Sequence, residues 1–200
     1  NGLKSLIVNC PNIEYLDLDD CWNITGKYFH LLSPNLKRLN CQETTVIPDI
    51  IVQQLIKGPA KHSLTTFMTG LSVGGDISRK SQDMFDVLMQ VCENFYNLQH
   101  FCWDYRVRVE HSSIQIGQLS NLITLDLRTD SASLTDVALM RIMRYCPRIK
   151  RLAIEMYNEK SEFMGVTDES LKDLHLHRLP EVHDHEHFNK FFVFFKMFKK

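Results

Sequence analysis

Apolar residues along this chain fall into two alternating patterns. The first is a six-residue window with apolar side chains at its first, fourth and sixth positions. It occurs as Ile13, Leu16, Leu18; Leu36, Leu39, Cys41; Leu98, Phe101, Trp103; Leu122, Leu125, Leu127; and Ile149, Leu152, Ile154. Leu64 and Phe67 begin another copy that Thr69 interrupts, and Leu176 and Leu179 begin a weaker one with Glu181 in its third slot. The last two slots alternate, as one face of a strand does. The second pattern follows between these windows. Leu139, Ile142, Met143 and Cys146 recur at i, i+3, i+4 and i+7, as do Leu88, Val91, Cys92 and Phe95. Tyr28, Leu31 and Leu32 give a shorter version. Each predicts a helix with one apolar stripe that a neighbour must cover. The steps between successive windows are 23, 28, 34, 24, 27 and 27 residues. A near-constant step with strand and helix in each interval predicts tandem strand–helix units.

The boundaries carry their own signals. Cys10-Pro11, Ser33-Pro34 and Cys146-Pro147 precede windows, with echoes at Tyr96-Asn97 and Ser120-Asn121. Proline cannot continue a helix and biases its predecessor toward extended backbone, so it separates helix from strand. Ile24-Thr25, Leu134-Thr135-Asp136 and Val166-Thr167-Asp168 follow windows. There threonine suits a helix N-cap and aspartate favours the positive first turn. The expected fold is α/β: a right-handed leucine-rich repeat solenoid with parallel strands on a concave face and helices on a convex face. Six strands are expected around 15–18, 38–41, 66–69, 100–103, 124–127 and 151–154, parallel because each helix carries the chain back. Leu125 and Leu152 are expected deep in the core. Repeats are assigned to 1–179, with an irregular histidine- and phenylalanine-rich tail at 180–200. Residues 47–63 read as helix ending at Lys57-Gly58-Pro59, residues 70–83 as a loop or insertion, and 157–165 as an extra polar segment.

Composition narrows the function. With 23 basic and 24 acidic residues the net charge is −1, which lacks the electrostatic footprint of a nucleic-acid binder. No apolar run reaches bilayer length, so no membrane association is expected. The six cysteines form no zinc spacing, and four sit at repeat landmarks as small apolar groups. Reduced thiols and a cytoplasmic or nuclear location follow; the sequon Asn23-Ile24-Thr25 points the other way. Asn1 begins within a repeat-like segment, as expected of a piece of a longer chain. His175, His177, His183, His185 and His187 read as a polar tail rather than a metal site. The run Phe191-Phe192-Val193-Phe194-Phe195 has no clear period. A surface anchor, an unnatural terminus and a terminal cap all suit it.

The stretches from Cys10-Pro11-Asn12-Ile13 through Asn23-Ile24-Thr25, and from Leu134-Thr135-Asp136 through Arg151-Leu152, resemble the cysteine-containing leucine-rich repeat. This repeat is typical of F-box proteins of the leucine-rich class and their F-box-less relatives. The resemblance covers residues 1 to about 175, sharpest in the first, fifth and sixth repeats. It implies an intracellular protein whose repeats capture a substrate for a ubiquitin ligase. An F-box would dock to a Skp-type adaptor and cullin. No F-box motif occurs between Asn1 and Lys200; if the protein has an F-box, it lies upstream of Asn1.

No phosphate loop, H-E-x-x-H or G-x-S-x-G motif occurs. Neither enzyme chemistry nor a cofactor or metal is expected. Binding residues are those between the apolar slots, which face away from the helices. They are Tyr15, Asp17 and Asp19; Arg38, Asn40 and Gln42; Thr66 and Met68; His100, Cys102 and Asp104; Thr124, Asp126 and Arg128; Arg151 and Glu155. Tyrosine and arginine are favoured anchors in protein interfaces. Two further classes share these features: a free-standing repeat scaffold, and an extracellular repeat receptor supported only by the sequon.

Overall fold

The computed structural model describes residues 2–44, 48–71, 84–107, 109–130, 136–157, 176–179 and 190–197; its side chains are described over 2–44, 48–70, 84–105, 112–127 and 137–153. The strands are β1 (Tyr15–Asp17), β2 (Arg38–Thr44), β3 (Thr66–Leu71), β4 (His100–Val107), β5 (Thr124–Asp130), β6 (Arg151–Tyr157), β7 (Leu176–Leu179) and β8 (Lys190–Met197). The helices are α1 (Gly2–Asn9), α2 (Pro48–Lys57), α3 (Phe85–Asn94), α4 (Val109–Ile116) and α5 (Asp136–Tyr145). Short 3-10 turns occur at Phe29–Leu31 and Pro59–His62. The described strands form one sheet in the order β1-β2-β3-β4-β5-β6-β8-β7, parallel from β1 to β6. The chain is therefore α/β, with a six-stranded parallel sheet where the apolar windows predict it.

Register runs straight across these strands. Leu16, Leu39, Phe67, Phe101, Leu125 and Leu152 are successive partners. The last five of them are at most 2% exposed, and Leu16, on the outermost strand, is 7% exposed. Stripe residues of the helices close over this row. Ile51, Val52 and Leu55 come from α2, Leu88, Val91 and Cys92 from α3, and Leu139 and Ile142 from α5. A second repetition lies at the strand entrances. The Glu14 carbonyl accepts from Lys37 N and Arg38 N, and Lys37 O from Thr65 N and Thr66 N. Thr65 O accepts from Gln99 N and His100 N, Gln99 O from Ile123 N and Thr124 N, and Ile123 O from Lys150 N and Arg151 N. One carbonyl thus bridges two amides at every step, whatever the length of the intervening chain.

Several local expectations change. Thr25 caps no α-helix. Gly26, at φ 69°, turns the chain into a 3-10 turn that begins at Phe29 and has no side-chain cap. The inward residues of that turn are Phe29 and Leu32, while Leu31 is 42% exposed. Thr69 does not interrupt β3: it is buried, with Oγ1 3.3 Å from the Tyr105 hydroxyl. Helix α4 escapes the apolar-spacing test because two core-facing positions are serines, Ser112 and Ser113, both fully buried. The irregular tail is corrected for Lys190–Met197, which is β8. It runs antiparallel between β6 and β7, pairing Ala153 with Phe194 and Leu179 with Phe194. Aromatic and β-branched residues favour the extended state, and a short connection permits antiparallel return where a parallel strand needs a longer crossover. Leu176 and Leu179 therefore lie on a strand that does not follow β6 as the next parallel rung. Gly70 and Leu71, expected in the loop, instead extend β3, and Tyr157, expected in the extra polar segment, ends β6, because each continues the pairing with the neighbouring strand; the Thr135 and Thr167 caps, residues 72–83 and 158–165, and His175, His183, His185 and His187 lie outside the described residues.

Candidate functional site

The helices cover one face of the parallel sheet, and the predicted binding residues stand on the other. Two side-chain columns cross the strands there. The first runs Tyr15, Arg38, Thr66, His100, Thr124, Arg151, and the second Asp17, Asn40, Met68, Cys102, Asp126, Ala153. Strands about 4.8 Å apart give each six-residue column a span of about 24 Å, the columns lying about 6.6 Å apart along the strands. The third column is less regular. Asp19 sits in the turn after β1, Gly70 partners Asp104, and Arg128 partners Glu155 and, across a register shift, Arg106. The side chains of Arg128 and Glu155 lie outside the described ones.

Tyr15 is 68% exposed, and Asp17, Asp19, Arg38 and Arg151 are exposed as well. His100, Asp104 and Asp126 are half-buried, as is Gln42. Asn40 departs from the expected column of contacts. It is only 5% exposed, and its Oδ1 accepts from the Gln42 backbone N–H at 3.1 Å. That bond supports β2 where the chain bulges after Cys41 and Glu43 takes φ 50°. Gln42 Nε2 reaches across to Cys102 Sγ at 3.4 Å. His100 Nδ1 lies 2.9 Å from Thr124 Oγ1. Gly70 is required by packing, because a Cβ there would meet the Asp104 Cβ at 2.5 Å.

Asp126 is the electrostatic centre of the described face. Its Oδ2 lies 3.6 Å from an Arg151 guanidinium nitrogen, while Oδ1 is buried without a hydrogen-bond partner among the described residues. Burial raises the Asp126 carboxyl pKa above the ordinary aspartate value, and Arg151 pulls it back only in part. At one end of the face, Asp20 adopts φ 56° and the turn beyond carries Trp22, 59% exposed, with its indole N–H donating to the Asp20 carboxylate. Sequence columns omit Trp22 because it lies past the strand, four residues beyond the last apolar slot at Leu18.

All six cysteines are free, with Cys41, Cys92 and Cys146 buried. Burial pushes the thiols of Cys41 and Cys92 well up and that of Cys146 up to about 12. Among the described residues no group of three His, Cys, Asp or Glu side chains is placed to hold a metal. No described helix is long and apolar enough to cross a membrane. The face offers mixed charge, amide and hydroxyl groups and two exposed aromatics over a wide, shallow area, the chemistry of an extended polar contact. No family model matches the chain, and no curated protein sequence matches it.

Proposed function

We propose that the chain is a leucine-rich repeat module that binds a protein partner on the helix-free face of its sheet. The carrying observation is the straight register of the outward columns over six parallel strands, which turns short sequence windows into one continuous surface. The equal carbonyl bridges at every strand entrance support reading the units as repeats of one kind. Tyr15, Asp17, Asp19, Arg38, His100, Asp104, Asp126 and Arg151 are the proposed contacts, with Gln42 and the backbone positions of Arg128 and Glu155 completing the third column.

The resemblance to repeats of F-box proteins extends the proposal to substrate recognition for a ubiquitin ligase inside the cell. In that role the module makes and breaks no bonds. It raises the local concentration of its target beside the transferring enzyme. A pulldown with the complete gene product tests both parts. Skp-type adaptor and cullin should co-purify, and a captured target should be lost when Arg38, Asp126 and Arg151 are charge-reversed. Recovery of the target without adaptor or cullin would leave a binding scaffold with no ligase link. Target capture that survives the reversals would remove the assignment to this face.

A further inference from the structure

The end of the sheet at β1 differs in charge from the rest of the face. Tyr15 and Asp17 stand on β1, about 6.6 Å apart along the strand on the helix-free side. Asp19 and Asp20 follow in the turn, and Trp22 lies just beyond it. All five side chains are exposed. Hydrogen bonds join them into one group. Asp17 Oδ1 accepts from the Asp19 backbone N–H at 3.1 Å, and the Trp22 indole N–H donates to the Asp20 carboxylate. The Asp20 backbone N–H donates to the Gln42 carbonyl at 3.3 Å, which ties the turn to the end of β2. Lysines near this end are engaged elsewhere. Lys37 pairs with Glu14 at 2.7 Å, and Lys4 and Lys27 stand over the Tyr28 ring, 5.4 and 5.8 Å from its centre. Arg38, the β2 partner of Tyr15, borders the group and forms no ion pair among the described residues. The side chains of residues 2–44 are all described, and Thr45-Val46-Ile47 beyond them carries no charge. Among the described residues, Asp17, Asp19 and Asp20 therefore have no cationic partner.

We infer that this end of the face takes an arginine-bearing segment of the bound protein, its guanidinium groups set against the carboxylates and the rings of Tyr15 and Trp22. The inference rests on the reading of the face as a binding surface and names the chemistry of what lies over β1. Two features point to a cation rather than to three carboxylates merely solvated. Tyr15 is 68% and Trp22 59% exposed, the largest values among the described aromatics, and the face of an aromatic ring attracts a cation. The Trp22 indole is also held by Asp20, so an exposed ring is oriented before a partner arrives, which lowers the ordering cost of binding. Arginine meets both demands with one group. Its planar guanidinium pairs with carboxylates through directed N–H bonds and stacks on aromatic rings, whereas a lysine ammonium is a compact, strongly hydrated charge.

The test is an NMR titration of the 15N-labelled full chain with an Arg-Gly-Ser repeat peptide, and with its Asn-Gly-Ser and Glu-Gly-Ser counterparts. The two tryptophans give one reporter and one internal control, because Trp22 is exposed and Trp103 is buried. The arginine peptide should move the Trp22 indole N–H signal saturably and leave that of Trp103 in place; the other two peptides should move neither. Asp17→Asn/Asp19→Asn keeps the turn's acceptor oxygens and should weaken the arginine peptide at least about tenfold, about 1.4 kcal/mol, as should Trp22→Ala read from backbone amides of β1. Asp86→Asn/Glu93→Gln removes the same charge from exposed sites on helix α3 and should bind unchanged. Circular dichroism and thermal midpoint confirm that each variant is folded. No shift, an equal shift with the asparagine or glutamate peptide, or an equal loss in the α3 variant would overturn the proposal. The pulldown described above keeps the two readings apart. A target lost on reversal of Arg38, Asp126 and Arg151, with no peptide effect at Trp22, would leave the face and remove its arginine site. A peptide held at Trp22, with target capture that survives those reversals, would leave the arginine site and remove the face.

Discussion

Asp126 shows how one side chain couples the face to the fold. Its carboxyl pKa is raised in the folded chain by burial, with Arg151 as a partial counterweight. A raised acid means that the folded state holds a proton that the unfolded state has already released. Stability therefore falls as pH rises through the range just above the ordinary aspartate value. The cost is absent below the unfolded pKa and constant above the folded one. Asp126→Asn should flatten urea midpoints across that range, and Arg151→Met should move the carboxyl's NMR titration further up. A titration of Asp126 at or below the unfolded value would show that the ion pair outweighs burial. Residue-level burial also sets thiol chemistry. Ellman's reagent should modify exposed Cys10 first and half-buried Cys21 and Cys102 next, leaving Cys41, Cys92 and Cys146 protected until unfolding.

The strand is the element at which most of this fold was legible. Five of the six parallel strands have both inner slots filled by buried apolar residues or, in β6, an apolar window whose Leu152 is buried. The sixth, β3, replaces one slot with Thr69, and only a hydroxyl from β4 explains how the chain tolerates it. Leu125→Ala or Leu152→Ala should destabilise by about 2–5 kcal/mol through the cavity left behind. A loss well under 1 kcal/mol in denaturant titration would contradict this register. Gly70→Ala should cost about 1–3 kcal/mol by forcing Asp104 aside, an overpacking effect measurable in the same titration. Helices were less readable than strands. Serines at inward positions hid α4, and the turn at Gly26 replaced an expected cap at Thr25. The site was legible as a set of columns because alternation is a property of the extended backbone. The burial of Asn40 was not, because it depends on an interior column position between Asp17 and Met68 of the two neighbouring strands, which are distant in sequence. Strand β8 was unreadable for another reason: five consecutive apolar residues have no period to distinguish strand from helix.

At the scale of the molecule, each rung of the parallel sheet touches mainly the rung before and the rung after, and the shared carbonyls repeat that arrangement down one side. Tension applied along the chain would reach these rungs in sequence. A handle at Asn1 draws β1 away from β2 edgewise, so the bridges at Glu14, Lys37, Thr65, Gln99 and Ile123 are loaded in turn rather than together. Parallel strands sheared lengthwise share their load; strands peeled from an edge do not. In an optical trap the 1–157 region should therefore give way as a staircase of small, low-force extensions, each releasing roughly one strand and its helix, and should re-form along the same steps when the force is lowered. A single cooperative rip spanning all six strands would be the contrary result. Stepwise release would let the sheet lengthen by increments while its remaining rungs keep their surface intact.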